Sequence, residues 1–350
     1  MIAKTRAPAH PIRKLIAATA LALAAALPAH AQQAKLSPAA AAAELDALVK
    51  AAKAEGEVTF YISLAENVGK RAADAFQAKY GIKTTFLRLV TAQMVQRYMA
   101  ESESGNTPAS VVMSAGSPAA YVASIPKGWV EPISKFNLPV IASGEYPAKF
   151  TDGNTAVVQV APWAIAYNNQ KIKGADIPKT WTDLLNPKYK GEVLVADTSV
   201  GTVYAEFWIF IESKYGEDFF KKINPNFRRY PGGVPAIQAL AAGEGSFQLP
   251  VPTSLPLGPQ QKGAPLSWVV PEVNTGLETH VIMTAKARAR HPNAGRLLAN
   301  YVLSPEGNKV FNDEPAGVTM YDTSGLPKQY ESPKPGAGAR VKEMATKLGF

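Results

Sequence analysis

The sequence predicts an α/β protein of two lobes, each a mainly parallel sheet flanked by helices. Three observations carry that prediction. Short runs rich in β-formers alternate with helical segments of about 10–15 residues, the pattern of parallel strands joined by crossover helices. The alternation lapses in a stretch rich in Pro and Gly, 128–155, and then starts again. The chain has 350 residues, more than one hydrophobic core usually accommodates, so two domains are expected.

In chain order, residues 1–31 come first. Lys4, Arg6, Arg13 and Lys14 make a basic start, 16–27 is an apolar run too short to span a bilayer, and Ala29-His30-Ala31 is an A-x-A cleavage site. A signal peptide cleaved after Ala31 is the reading, with an exported, soluble, periplasmic product. The leader holds four basic and no acidic residues, so the net charge of +9 falls to +5. That charge is scattered and lacks the concentrated basic stripe of a nucleic-acid binder. No cysteine is present, which excludes disulfides, thiol nucleophiles and thiolate metal sites.

The first strand–helix series follows. Residues 38–55 are Ala-rich, with Leu45, Leu48 and Val49 at helical spacing. A strand is expected at 57–63 and a helix at 66–80, stopped by Gly81. A strand at 82–90, a helix at 92–101, a strand at 110–113 and a helix at 117–125 come next. Residues 155–161 and 163–167 read as strand broken by Pro162, because a proline within a strand marks an edge or a bend. The second series has a short helix at 181–185, a strand at 192–196 and a helix at 201–214. It continues with strands at 227–230, 246–251 and 266–270, and a helix at 234–242 with Val234, Ile237, Leu240 and Ala241 inward. A strand at 276–284 precedes two helix starts, His291-Pro292-Asn293 and Ser304-Pro305-Glu306. Proline suits the first turn, where its missing N–H has no partner to lose. Ala294, Leu297, Leu298, Tyr301 and Val302 form one apolar stripe. Residues 331–350 read as a tail, Pro/Gly-rich at its start.

The segments "VTFYIS", "AFQAKYGIKTTFLR", "WAIAYNNQKI", "PKTWTDLLNPKYKGEVLVAD", "AIQALAAGE" and "HPNAGRLLANYVLSPEGNKVF", in that order over about 57–322, resemble the type 2 periplasmic solute-binding proteins, the receptors of ABC importers. The resemblance implies the type 2 periplasmic-binding fold, with two lobes joined by two crossover strands and a ligand held between them. Lobe I is then 32–161 plus 272–304, and lobe II 162–271 plus 305–330. It implies a monomer that binds a small-molecule ligand, closes by hinge bending and docks on the transmembrane subunits of an ABC permease. No cofactor, metal or nucleic acid is expected.

Open α/β sheets bind ligands beyond the carboxyl ends of their strands, where helix N-termini offer free N–H groups. The candidate ligand residues are accordingly Ser63 and Leu64 after the first strand, Thr91 and Ala92 after the second, and Ser114 after the third. Thr198, Ser199, Gly201 and Thr202 precede a helix of the second series. Gly232 and Gly233 allow close backbone approach, and Thr253 follows the 246–251 strand. Trp163 and Tyr204 are candidates for an aromatic wall, with Trp208 assigned to the core. Neighbouring strand residues point to opposite faces, so at most one of Arg228 and Arg229 faces the cleft, and Arg229 is the candidate.

Departures from the family narrow the ligand. Ferric-binding members carry adjacent tyrosines where this chain has Pro250-Val251-Pro252-Thr253-Ser254, and a histidine where it has Leu64-Ala65-Glu66. Polyamine binders need several cleft carboxylates, and only Glu66 and Asp197 stand near the expected places. A small anionic or neutral organic solute, of carboxylate or phosphonate type, fits better. The alternative is an exported hydrolase. After leader removal only His280 and His291 remain, and no H-E-x-x-H, G-x-S-x-G, Walker A or G-x-G-x-x-G motif supports an enzyme.

Overall fold

The computed structural model describes residues 35–314, 317–334 and 336–350; the expected signal peptide lies outside them. The chain begins with α1 (Pro38–Glu55), β1 (Glu57–Ile62), α2 (Glu66–Tyr80), β2 (Lys83–Arg88), α3 (Thr91–Glu103) and β3 (Val111–Ala115). Ser37 caps α1 by accepting the Ala40 N–H, and Gly56 and Gly81 end α1 and α2 in the left-handed conformation at φ 77° and 69°. Then come α4 (Ala119–Val122), β4 (Val130–Glu131), α5 (Pro139–Ala142) and β5 (Ala156–Asn168). The helix expected over 117–125 is thus only four residues long. Pro126 disfavours helical backbone in the residue before it, and the chain turns there into a single 3-10 turn.

The second series is β6 (Val193–Ala196), α6 (Thr202–Tyr215), α7 (Asp218–Ile223), β7 (Phe227–Tyr230), α8 (Gly233–Ala241), β8 (Phe247–Pro252), α9 (Ser254–Gln261) and β9 (Leu266–Val269). The chain closes with β10 (Val273–Asn274), β11 (Gly276–Thr284), α10 (Pro292–Leu303), α11 (Pro305–Phe311), β12 (Gln329–Tyr330) and α12 (Val341–Lys347). Neither α7 nor α9 was legible as a helix. In α9 the Pro256 ring sits in the first turn, where no N–H is needed.

The strands follow the path β2-β1-β3-β11-β5-β8-β6-β7. Within it β2, β1 and β3 are mutually parallel, as are β7, β6 and β8. The 13-residue β5 is buried throughout and belongs to both groups. Its first half pairs with β11, ending at Pro162 opposite Gly276, and its second half pairs with β8 and β9 from Trp163 onward. Pro162 therefore does not break the strand, as expected from sequence, but sits where β5 changes partners. A residue lacking an N–H is tolerated there because the next donor, Trp163 N–H, reaches Thr275 O at 3.1 Å.

Among the described residues the buried apolar side chains form three clusters, one of which reaches from α1 to α12. Ala294, Leu297, Leu298, Tyr301 and Val302 of α10 are all buried, as the stripe predicted. Each fully buried Leu or Val of this kind contributes about 1.5–3 kcal/mol. Trp208 is fully buried, packed at 5.0 Å from Phe207, whose ring also meets Trp163 and Trp181. Ile237 and Leu240 of α8 are buried as expected, joined by Ala236 and Ala239, but Ala241 is half-buried and Val234 departs from expectation at 36% exposed. Residues 336–350, read as a tail, carry α12, with Met344 and Leu348 fully buried. Its C-terminal carbonyls are capped from β7 and the turn before it: Arg229 Nε donates to Leu348 O and Asn224 Nδ2 to Lys347 O. No helix among the described residues is long and apolar enough to cross a membrane.

Candidate ligand-binding cavity

Parallel strands end on a common edge, and here the ends of β1, β2, β3, β6, β7 and β8 surround a cavity of about 300 Å³. Each end is followed by a loop and most by a helix start. The residues at the caps of α2, α3, α6 and α8 are Ala65, Val90, Gly201 and Gly232, and none supplies a side-chain cap. Their first N–H groups are therefore left for other acceptors, and the four caps all line the cavity. Ordinary N-capping by Ser and Thr, the bland explanation of the hydroxyl-rich turns, does not operate at these four helices.

Eight of the residues singled out from sequence line this cavity: Ser63, Leu64, Thr91, Trp163, Gly201, Tyr204, Gly232 and Gly233. The Ser63 hydroxyl accepts the Ala115 N–H at 2.8 Å, and Thr91 Oγ1 lies 3.4 Å from Ala115 O, which ties the ends of β1, β2 and β3 together. Trp163 and Tyr204 stand side by side, ring centroids 5.8 Å apart at 32°. Gly233 is a glycine of necessity, since a Cβ there would meet the Tyr204 hydroxyl at 2.5 Å. The Tyr204 phenol is pushed up to about 12 by burial, with the Arg88 charge opposing that rise.

The remaining candidates fall elsewhere. Ala92, Thr198, Ser199 and Thr202 line an adjoining groove of about 510 Å³, together with Gly336, Gly338 and Val341. There the Thr198 hydroxyl donates to Val341 O, and Ser199 N–H donates to Asp197. Ser114 is fully buried within β3, opposite His280 of β11. Thr253 is buried between Pro252 and Ser254, both of which line the cavity. Arg229 faces α12 and Arg228 bonds Glu244 O, so neither arginine lines the cavity. The strand carrying them, β7, is the last in the sheet path, and its two faces serve the segments packed beside it.

Sequence reading passed over Arg88. It is the last residue of β2, and its Nε donates to Leu64 O at 3.1 Å, which holds the guanidinium at the cavity wall. The signal was available: Arg88 stands at a strand's carboxyl end, three residues before the loop that was singled out. Among the described lining residues it is the one charged side chain, and no carboxylate joins it. Gln93, Pro231, Val234, Pro235, Ser254 and Leu255 are among the other wall residues missed from sequence.

Two contacts join the two strand groups beside the cavity. Gly116, at φ 80°, lies so close to α6 that a Cβ would stand 2.7 Å from Thr202 Oγ1 and Val203 Cγ1. One residue on, the Ser117 N–H donates to Glu206 Oε1 at 3.2 Å. Glu206 is 5% exposed, and burial pushes its carboxyl up to about 7. The two histidines among the described residues are outside the cavity. His280 Nδ1 pairs with Thr155 Oγ1 at 3.1 Å, and burial pushes that imidazole down to about 4. His291 sits at the start of α10.

The chain is 29% identical over 270 residues to an uncharacterized protein of Haemophilus influenzae, covering 74% of this chain and 76% of that one. It is 25% identical over 199 residues to the Fe(3+)-binding periplasmic protein of Serratia marcescens, covering 56% of each. The substrate-binding protein of an ABC transporter from Agrobacterium tumefaciens has the same fold, with a TM-score of 0.67 over 83% of this chain and 94% of that one at 14% identity. The architecture is the type 2 periplasmic-binding fold. The profile of the bacterial extracellular solute-binding protein family matches residues 106–332, and the chain belongs to that family.

Proposed function

We propose that the protein is the periplasmic receptor of an ABC import system and that its cavity takes a small organic anion. Arg88 carries the reading. A lone guanidinium with no carboxylate nearby, among helix N-termini with uncapped N–H groups, favours negative charge and repels a metal ion or a polyamine. Loops from both strand groups supply the walls, and the Gly116–α6 approach is read as the closed form. Ligand bound to one group recruits donors from the other, shifts the open–closed equilibrium, and presents the closed receptor to a membrane permease.

A thermal-shift and calorimetric screen of carboxylates, phosphonates, spermidine and Fe³⁺ tests the reading. Anions are expected to bind, and Arg88→Ala is expected to lose about 1.5–3 kcal/mol, the range for a hydrogen bond to a charged group. Saturating anion should also reduce the radius of gyration seen by X-ray scattering. Binding of spermidine or Fe³⁺ with none of any anion would overturn the assignment.

A further inference from the structure

The walls of the cavity differ in chemistry from one strand group to the other. The β1–β3 side presents the polar Ser63, Arg88, Thr91 and Gln93 among apolar neighbours such as Leu64 and Val90. Opposite them, the loops after β7 and β8 present Pro231, Val234, Pro235 and Leu255, with Ser254 their one hydroxyl. Val234 is one of only two large apolar side chains left exposed among the described residues, the other being Phe350 at the chain end. An exposed valine on a concave, proline-rich wall is apolar surface that a ligand can cover. Trp163, 1% exposed, underlies this wall, its indole Nε1–H buried without a protein partner.

We propose, resting on the anion-receptor reading, that the ligand is an amphiphilic monoanion: one carboxylate on a flat apolar body, of the arylalkanoate kind. One guanidinium matches one negative charge, and beyond the helix N-termini the described walls hold no second cation. A polyhydroxylated anion such as a sugar phosphate would press hydroxyls against prolines, Val234 and Leu255, where they find no partners and lose those of water. The neighbouring Trp163 and Tyr204 rings, tilted at 32° to each other, suit an aromatic or planar body. At interior packing density the cavity holds roughly ten to fifteen non-hydrogen atoms, the size of a phenyl ring with a short acid chain. The β1–β3 side then holds the head, and burial of the body against the other side drives closure.

The test is calorimetric titration of the full mature chain with 3-phenylpropionate, propionate, succinate, glucose 6-phosphate and spermidine. 3-Phenylpropionate is expected to bind at least about tenfold more tightly than propionate or succinate, with a negative heat-capacity change from apolar burial. Val234→Asn is expected to reduce the advantage of 3-phenylpropionate over propionate, whereas Arg88→Ala weakens both. Tighter binding of succinate or glucose 6-phosphate than of 3-phenylpropionate overturns the amphiphile and leaves the anion receptor standing. Binding of spermidine with none of any acid overturns both. No binding of 3-phenylpropionate, or an unchanged preference in Val234→Asn, also refutes the amphiphile.

Discussion

Replacing Glu206 by Gln is the sharpest test of how this structure is held together beside the cavity. The side chain is 5% exposed on α6 and has one backbone donor, the Ser117 N–H at 3.2 Å. Glutamine keeps the acceptor and removes the charge. Burial raises the carboxyl from an ordinary 4.5 to about 7, and Glu278 adds to the rise. A carboxyl raised in the folded state binds more protons folded than unfolded, so its favourable contribution is complete below about 4.5 and fades as pH climbs through about 7. At pH 8 the full difference, about 3 kcal/mol, should separate the two proteins, with the glutamine form the more stable. At pH 5 the gap should shrink below about 1 kcal/mol. For a chain of this size the gap at pH 8 amounts to about 5 °C in melting temperature. Melting curves of both proteins at the two pH values measure it. Comparing them at equal pH cancels the same-direction contribution of Glu314, also raised to about 7, and the opposite one of His280, lowered to about 4. A glutamine variant no more stable than wild type at pH 8 would refute the claim that a buried carboxylate burdens this contact.

Two further expectations concern the same region. Gly116→Ala places a Cβ 2.7 Å from Thr202 and Val203 at a φ of 80°; left-handed strain of about 1–2 kcal/mol adds to overpacking of about 1–3 kcal/mol. The variant should bind any anionic ligand more weakly and scatter as a larger particle than wild type at equal ligand, and unchanged affinity would show that this approach does not govern closure. Arg229→Ala removes the donors to Leu348 O and Asn224 Oδ1, worth about 1.5–3 kcal/mol. Amide exchange should then speed up over α12 and leave β1–β3 unchanged, whereas uniform protection along the chain would contradict a local docking role.

Local pattern carried much of the fold. The α1, α2, α10 and β7 segments were legible because cap residues, apolar spacing and β-formers act over a few neighbours. Readings failed where a distant partner decided. Val234 lies on a helical stripe that reads as inward, yet its side faces the cavity. Arg229 reads as a cleft donor because nothing nearby in sequence announces that α12 will pack against β7. Within the candidate site, Ser63, Thr91, Trp163, Gly201 and the Gly232–Gly233 pair were recoverable from the rule that ligands sit at strand ends. Arg88 was hidden because the strand was read on to 90, which put Arg88 inside it and not at its carboxyl end.

Composition and order alone determined that this is a cysteine-free α/β chain with two runs of alternating strands and helices, because propensity, periodicity and capping are properties of adjacent residues. Tertiary structure alone decided that β5 serves both strand groups through Pro162, that four uncapped helix starts converge on one cavity, and that Arg88 is the single charge among its described lining residues. Those outcomes depend on pairings between segments a hundred or more residues apart, such as β5 with β11. Their partners are chosen by shape and burial in the assembled core, which no local stretch of the chain records.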